Sequence, residues 1–271
     1  MIVDYHMHLR DPEERIDHTA SAVERFVEQA AARGVDEIGF TEHVYYFRQT
    51  REIWELPYQS ERCVYDLDAY CAALLEARAR GWPVKLGLEV DYVGGRQARL
   101  AELLAPYPWD FLLGSVHWLD GLAVDQRPGL WAQLPVDEVW RRYFAALAEL
   151  AAGGAVDVLA HPDLAKIFGL RPEAETLAAL HEQAADAVAA AGVALEVSTA
   201  GLRKPVGELY PDAAFLEACA RRGVPITLAS DAHRPSLVGH ELEQAVALAR
   251  AAGCETVTVF EGRRPHQELL G

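Results

Sequence analysis

The chain begins MIVDYHMH, which sets Asp4, His6 and His8 at every second position. A period of two is that of a β-strand, so the three side chains share one face. Near the other end, VPITLASDAH runs apolar as far as Ala229, and Asp231 and His233 then follow. Imidazoles and carboxylates gathered where strands stop have the chemistry of a metal site. The arrangement recurs: β-like runs end at Glu42 and His43, at Glu89 and Asp91, at His117, at His161 and Asp163, and at Glu196. Seven of the ten histidines fall on or near these ends when His18 is counted, whereas chance would scatter them over helices and both strand ends. The other three, His181, His240 and His266, lie in helical or terminal surroundings and are expected at the surface.

Imidazole and carboxylate without thiolate suit Zn, Mn, Fe or Ni rather than an iron–sulfur cluster. Six histidines and several acids exceed what one ion can use, so two or three divalent ions (Zn, Fe or Mn) are expected. Closely spaced ions need bridging oxygens, and Glu89 is placed for that role. A hydroxide held between the ions is the expected nucleophile, because metal binding brings the pKa of water near 7.

Such convergence needs elements that deliver every strand end to one place. The β-like runs MIVDYH, VDEIGFTEH, PVKLGLEVDY, WDFLLGSVH, AVDVLAH, GVALEVS, VPITLAS and CETVTVF alternate with Ala-rich amphipathic segments. Examples are TASAVERFVEQAAARG, DLDAYCAALLEARARG, PVDEVWRRYFAALAELAAGG and PEAETLAALHEQAADAVAAAG. Gly34, Gly81, Gly192, Gly223 and Gly253 each stand between a helical segment and the next strand, the usual C-terminal stop. Repeated strand–helix alternation predicts an α/β fold with parallel strands and helices outside, most simply a distorted (β/α) barrel in one domain over residues 1–271. An open doubly wound sheet is the alternative, weakened by the lack of a Gly-rich loop after the first strand. The connection from Val44 to Asp66, VYYFRQTREIWELPYQSERCVYD, is the main insertion and a candidate lid or substrate loop.

Composition excludes several classes. Of 271 residues, 51% are hydrophobic and 24% charged, which is ordinary for a globular protein with a sizeable core. The net charge of -16 argues against nucleic acid as a partner, since phosphate backbones are held by clustered Lys and Arg. A small anionic substrate remains open, because a local cation overrules the global field. The four cysteines are scattered without a CxxC pair and are expected in packing roles. No apolar run approaches the ~18 residues of a membrane span, and no secretory leader is evident, so a cytoplasmic protein without membrane partner is expected.

The motifs DYHMH, FTEH, GLEVDY, GSVHWLDG, DVLAHPDL, STAGLRKP and ASDAH, in that order from Asp4 to His233, resemble the PHP (polymerase and histidinol phosphatase) superfamily. The likeness is to its histidinol-phosphatase branch and covers almost the whole chain. The resemblance implies a distorted seven-stranded, TIM-barrel-like (β/α) barrel with a trinuclear metal site. By motif, it implies one ion on His6, His8, Glu89 and Asp231, a second on Glu89, His117 and His161, and a third on His43, His233 and a residue of the loop after the first strand. That loop, LRDPEERIDH, departs from the family spacing and offers Asp11, Glu13, Glu14, Asp17 and His18. Counting back along the following helix favours His18, though Asp17 or His18 could instead begin or cap that helix.

The implied reaction is hydrolysis of L-histidinol phosphate to L-histidinol and phosphate, a step of histidine biosynthesis. Phosphate monoesters hydrolyse very slowly unaided, so catalysis must neutralise charge and place water in line. Asp231 and His233 are candidate donors to the leaving alkoxide. Arg203, able to clamp two phosphate oxygens, is the first candidate for phosphate binding and Lys166 the second. Glu196, facing the cavity by strand alternation, is a candidate for the substrate's ammonium or imidazole. Glu42 and Asp4 are expected behind the ligands, orienting imidazoles. Tyr45, Tyr46, Phe47 and Trp54 could cover an imidazole ring, although packing is the simpler role for them. The alternatives are another phosphoesterase of the same superfamily acting on nucleotides or short oligonucleotides, an amidohydrolase-type metal barrel, and a metal-binding protein without turnover. Lys85 stands too early in its strand for the modified lysine that amidohydrolases often use.

Overall fold

Buried, β-branched-rich runs give short strands, and the Ala-rich segments between them give helices. In the computed structural model, which describes residues 1–10, 15–127 and 129–271, the first half runs β1 (Val3–Asp4), α1 (Ala20–Ala32), β2 (Glu37–Phe40), α2 (Pro57–Ser60), α3 (Leu67–Ala79), β3 (Val84–Leu86), β4 (Glu89–Asp91), α4 (Gln97–Leu104), β5 (Leu113–Ser115), β6 (Trp118–Leu119) and β7 (Leu122–Ala123). The second half runs α5 (Val136–Ala152), β8 (Val158–Leu159), α6 (Ala174–Ala191), β9 (Ala194–Ser198), α7 (Ala213–Ala220), β10 (Ile226–Ala229), α8 (Leu242–Ala251), β11 (Thr256–Glu261) and β12 (Arg264–Leu269). All five expected glycine stops adopt positive φ, Gly192 closing α6 at 70°.

The parallel strands form two sheets, ordered β1-β2-β3 and β10-β9-β8-β5-β4. The division falls inside PVKLGLEVDY, which the sequence suggested was one strand: β3 ends at Leu86 and β4 begins at Glu89. A Cβ on Gly87 would stand 2.8 Å from the Phe111 ring and 2.9 Å from the Thr41 methyl, so only glycine fits at the break. Backbone bonds link the sheets on both flanks. Gly87 donates to the Phe40 carbonyl and Glu89 to that of Glu42, each at 3.0 Å; on the other side Tyr5 donates to Leu228 at 3.0 Å and Ala232 to His6 at 3.2 Å.

Helices cover the outer faces, which is why almost every residue of the parallel strands is buried. In α5, Val139, Trp140, Tyr143, Phe144 and Leu147 recur at helical spacing and face inward. Helix α6 packs between α5 and α7, and this corrects one expectation. His181 is not on the surface: it is 3% exposed, stacked on Phe215 at 5.2 Å and flanked by Trp140 and Phe144. The last β-like run does not extend either parallel sheet, since β11 pairs antiparallel with β12. Cys63, Cys71 and Cys219 are buried and free, as packing residues should be. Among the described residues, no helix is long and apolar enough to cross a membrane.

Candidate metal centre

The C-terminal ends of β1, β2, β5, β8 and β10, with Glu89 from β4 and Glu196 from β9, bring the expected histidines and acids together. Glu89, the first residue of β4 and fully buried, stands at the centre. Its Oε2 lies 2.6 Å from His43 Nδ1, 3.6 Å from His6 Nε2 and 3.8 Å from His8 Nε2. Its Oε1 lies 3.1 Å from His161 Nε2 and 3.5 Å from His117 Nε2. One carboxylate therefore presents its two oxygens to two sets of imidazoles. Asp231 Oδ1 completes the first set, 3.6 Å from His6 Nε2 and 3.3 Å from His8 Nε2. Donor atoms sharing one tetrahedral ion at about 2.1 Å stand about 3.4 Å apart, so these separations suit shared cations.

A second observation tests the fit. His6 Nε2, both ring nitrogens of His8, His43 Nδ1, Glu89 Oε2 and Asp231 Oδ1 are buried without a hydrogen-bond partner. Leaving one such atom unsatisfied costs about 1–3 kcal/mol, more if charged, and several meet here at one point. Cations would satisfy all of these except His8 Nδ1, which faces Glu42 at 3.5 Å, and the donor set is that of zinc, iron or manganese. Among the described residues, four groups place their donors within 4.8 Å of one another: His6, Glu89 and His161; His6, His8 and Asp231; His8, His43 and His233; and His43, Asp91 and His117.

Protonation states agree with ligation at the carboxylates. Burial opposes the charge on Glu89, yet His43, His117 and His6 hold it well below the usual carboxylate range. His6, His233 and His8 do the same for Asp231 against its burial. Burial and the neighbouring His8 push His233 down to about 3.

Strain marks two of these positions. Asp231 has φ 52° and His161 φ 28°, a region that costs a non-glycine residue of order 1–3 kcal/mol. Each is held from outside. The His161 N–H donates to Glu196 Oε1 at 3.0 Å, and Arg203 Nη2 donates to the carbonyls of Ser230 at 2.5 Å and Asp231 at 3.2 Å.

The surroundings correct several expectations. Glu196 does not face substrate: it is fully buried, with Oε2 on His6 Nδ1 at 2.8 Å and Oε1 on the His161 backbone. Lys166 is equally buried, with its ammonium 2.8 Å from Asp163. Asp4 orients neither His6 nor His8; it accepts from the Ser230 amide and hydroxyl and from the Gly239 amide, fixing the turn that carries Asp231. Glu42 raises no such conflict: it lies 3.5 Å from the Nδ1 of His8 and accepts from the Leu9 amide at 2.6 Å.

His18 belongs to none of the four groups. Its ring lies among Phe47, Tyr65 and Tyr70, with Nε2 3.7 Å from Glu42, and His8 completes the set with His43 and His233. Asp17 bonds the Thr19 hydroxyl, and Thr19 caps α1. Asp11, Glu13 and Glu14 lie outside the described residues. Asp91, which the sequence offered only as one of the strand-end acids with the chemistry of a metal site, has its Oδ1 2.8 Å from His117 Nδ1. The signal was present: Asp91 sits two residues after Glu89, on the same strand face.

The insertion contributes packing. Tyr45 stacks on His43 at 4.9 Å, Phe47 stacks on His18, and Tyr45, Phe47 and Trp54 are all buried. Its two ends meet, with Arg48 N–H on the Tyr65 carbonyl and Tyr65 N–H on that of Tyr46, both at 2.9 Å.

Comparison with known proteins agrees with this architecture. The family model described as PHP domain matches residues 4–200. The chain is 33% identical over 246 residues to a protein of Deinococcus radiodurans named "Probable histidinol-phosphatase", covering 89% of this chain and 91% of the relative. It is 26% identical over 242 residues to the histidinol-phosphatase of Bacillus subtilis, covering 81% of this chain and 90% of that one. In fold it is similar to a histidinol phosphate phosphatase of Lactococcus lactis, solved with zinc, L-histidinol and phosphate. The TM-score is 0.75 at 21% identity, over 98% of both chains.

Proposed function

This chain belongs to the PHP domain family, and from that premise we propose that it is a metal-dependent histidinol-phosphatase, converting L-histidinol phosphate and water to L-histidinol and phosphate in histidine biosynthesis. One observation carries the reading: six histidines meet around Glu89 and Asp231 in a chain that matches a histidinol-phosphatase relative over 89% of its length. We place two or three divalent ions, zinc, iron or manganese, on His6, His8, His43, Glu89, His117, His161, Asp231 and His233. Linked on both flanks, the two parallel sheets read as a distorted seven-stranded barrel in one domain, with this cluster at its rim. The absence of a membrane-spanning helix among the described residues fits a cytoplasmic enzyme.

Bound ions supply positive charge to the phosphoryl oxygens and acidify water near neutral pH. The rest is the work of the chain. Glu196 and Asp91 each hold the Nδ1 of an imidazole, so that His6 and His117 present Nε2 to Glu89. Glu89 faces both sets of imidazoles from one side chain and fixes their spacing. Arg203 braces the strained turn at Asp231 through Nη2, while its Nη1 is buried without a partner and serves the phosphoryl group.

The test is metal analysis of purified protein, followed by steady-state kinetics on histidinol phosphate, AMP and a short oligonucleotide, with and without chelator. Preference for histidinol phosphate and loss of activity on chelation are expected. Preference for AMP would refute the substrate assignment, and activity that survives complete metal removal would refute the mechanism.

A further inference from the structure

Three cations border one cavity beside the metal centre of a chain whose net charge is -16. The cavity, about 320 Å³, is lined by Arg10, Arg203, Lys204, Asp231, His233 and Leu237. Arg10 was assigned nothing from sequence. It follows β1 in the chain, whereas Arg203 lies in the turn after β9. Because β10 pairs with β9 on one side and bonds to Tyr5 on the other, the two arginines approach from opposite sides of the turn bearing Asp231 and His233.

Both guanidiniums are part-buried, and both hold back hydrogen-bonding capacity. Arg10 donates Nη2 to the Tyr46 hydroxyl at 2.9 Å, its guanidinium carbon 5.5 Å from that ring's centre, while its Nε is buried without a hydrogen-bond partner. Arg203 spends Nη2 on two carbonyls and leaves Nη1 buried without one. Two unspent N–H groups, on two planar cations at one cavity, call for a ligand with several anionic oxygens. Lys204, exposed at the rim, adds a point charge that draws an anion toward this part of an otherwise repulsive surface. A larger cavity of about 500 Å³, before the N-terminal ends of β5 and β8, lacks this property. Its Arg78 and Arg263 are both ion-paired, with Asp110 and Asp157.

We propose that Arg10 is a second phosphoryl-binding residue, closing with Arg203 on the phosphate of substrate and product, and that the Tyr46 hydroxyl positions it. This rests on the phosphatase reading above. It places the phosphate on the β1–β10–β9 side of the cluster, and it ties the aromatic insertion to phosphate binding through Tyr46.

The experiment compares Arg10→Ala, Arg10→Lys and Tyr46→Phe in the metal-loaded enzyme. For each, the KM for histidinol phosphate and for p-nitrophenyl phosphate, the Ki of inorganic phosphate and the metal content are measured. In Arg10→Ala both KM values and the phosphate Ki should rise about tenfold or more, the effect of losing one charge-assisted hydrogen bond, with metal content unchanged. Arg10→Lys should recover part of the loss, and Tyr46→Phe should raise the same constants a few-fold. Unchanged phosphate Ki in Arg10→Ala overturns the proposal. So does a rise confined to histidinol phosphate, which would put Arg10 on the leaving group, or a rise that disappears once metal content is matched. If the parent enzyme prefers another phosphomonoester, the substrate reading fails while the phosphate Ki still decides the role of Arg10.

Discussion

Asp91→Asn isolates what a buried carboxylate contributes behind a ligand. Asp91 is fully buried, and its Oδ1 sits 2.8 Å from His117 Nδ1. With that nitrogen engaged, His117 turns Nε2 toward Glu89 Oε1 at 3.5 Å. Burial works against a charge on His117, yet Glu89 and Asp91 together push it up to about 10, a measure of how strongly the two carboxylates bear on the ring. Asparagine keeps the shape and removes the charge, which about halves the strength of the hydrogen bond. If instead its amide turns its NH₂ toward Nδ1, the imidazole proton moves to Nε2 and blocks ligation. The expected loss is 10- to 100-fold in metal affinity or kcat/KM, about 1.4–2.7 kcal/mol. The assay is metal content after dialysis against graded chelator, together with kcat/KM as metal is added back. Melting temperature of the loaded protein controls for misfolding. A well-folded variant that retains metal and kcat/KM within twofold of the parent would refute the assignment of Asp91.

Three further outcomes are expected. Glu89→Gln should lower metal retention at both sets of imidazoles and cut kcat/KM more than 100-fold, read by elemental analysis and initial rates; loss at one set alone would contradict the two-sided placement of this carboxylate. Chelator should lower the melting temperature by several degrees, since ligand at ~100 Kd stabilises by about 2.7 kcal/mol and a chain of this size moves about 2–4 °C per kcal/mol; superimposable melts would sink the idea of resident ions. Burial holds the folded pKa of His181 below its ordinary 6.5, so the unfolded chain binds more protons between the two values. Its stabilising contribution is present above pH 6.5 and lost as pH falls toward the folded value. The parent melting temperature should therefore drop more steeply than that of His181→Phe between pH 7 and 5, and parallel slopes would refute this.

Much of the centre was legible because ligands sit where strands stop, and strand stops are written in hydrophobicity. His6, His8, His43, Glu89, His117, His161, Asp231 and His233 all come together at those positions. Partner choice was not legible. Whether Glu196 meets substrate or His6 depends on the stagger of neighbouring strands, and Asp4 turned to Ser230 and Gly239 because β10 lies alongside β1. The ring of His18 was captured by Phe47 and Tyr70, residues far along the chain from the loop that offered it as a ligand. In the fold, the alternation of strand and helix was plain. The interruption at Gly87 was hidden, because its cause is a contact with Phe111, 24 positions away.

The insertion between Val44 and Asp66 leaves and rejoins the fold at nearly one point, pinned where Tyr46, Arg48 and Tyr65 exchange backbone bonds and where Arg48 and Gln49 both hold Asp66. A segment closed at its neck behaves as a cassette. Lengthening such a loop twofold costs only about 0.6 kcal/mol of closure entropy, so its length and sequence can change at little cost to the fold beneath it. A replacement for this segment would have to preserve or reinvent its couplings to the site, among them Tyr45 on His43, Phe47 on His18 and Tyr46 on Arg10.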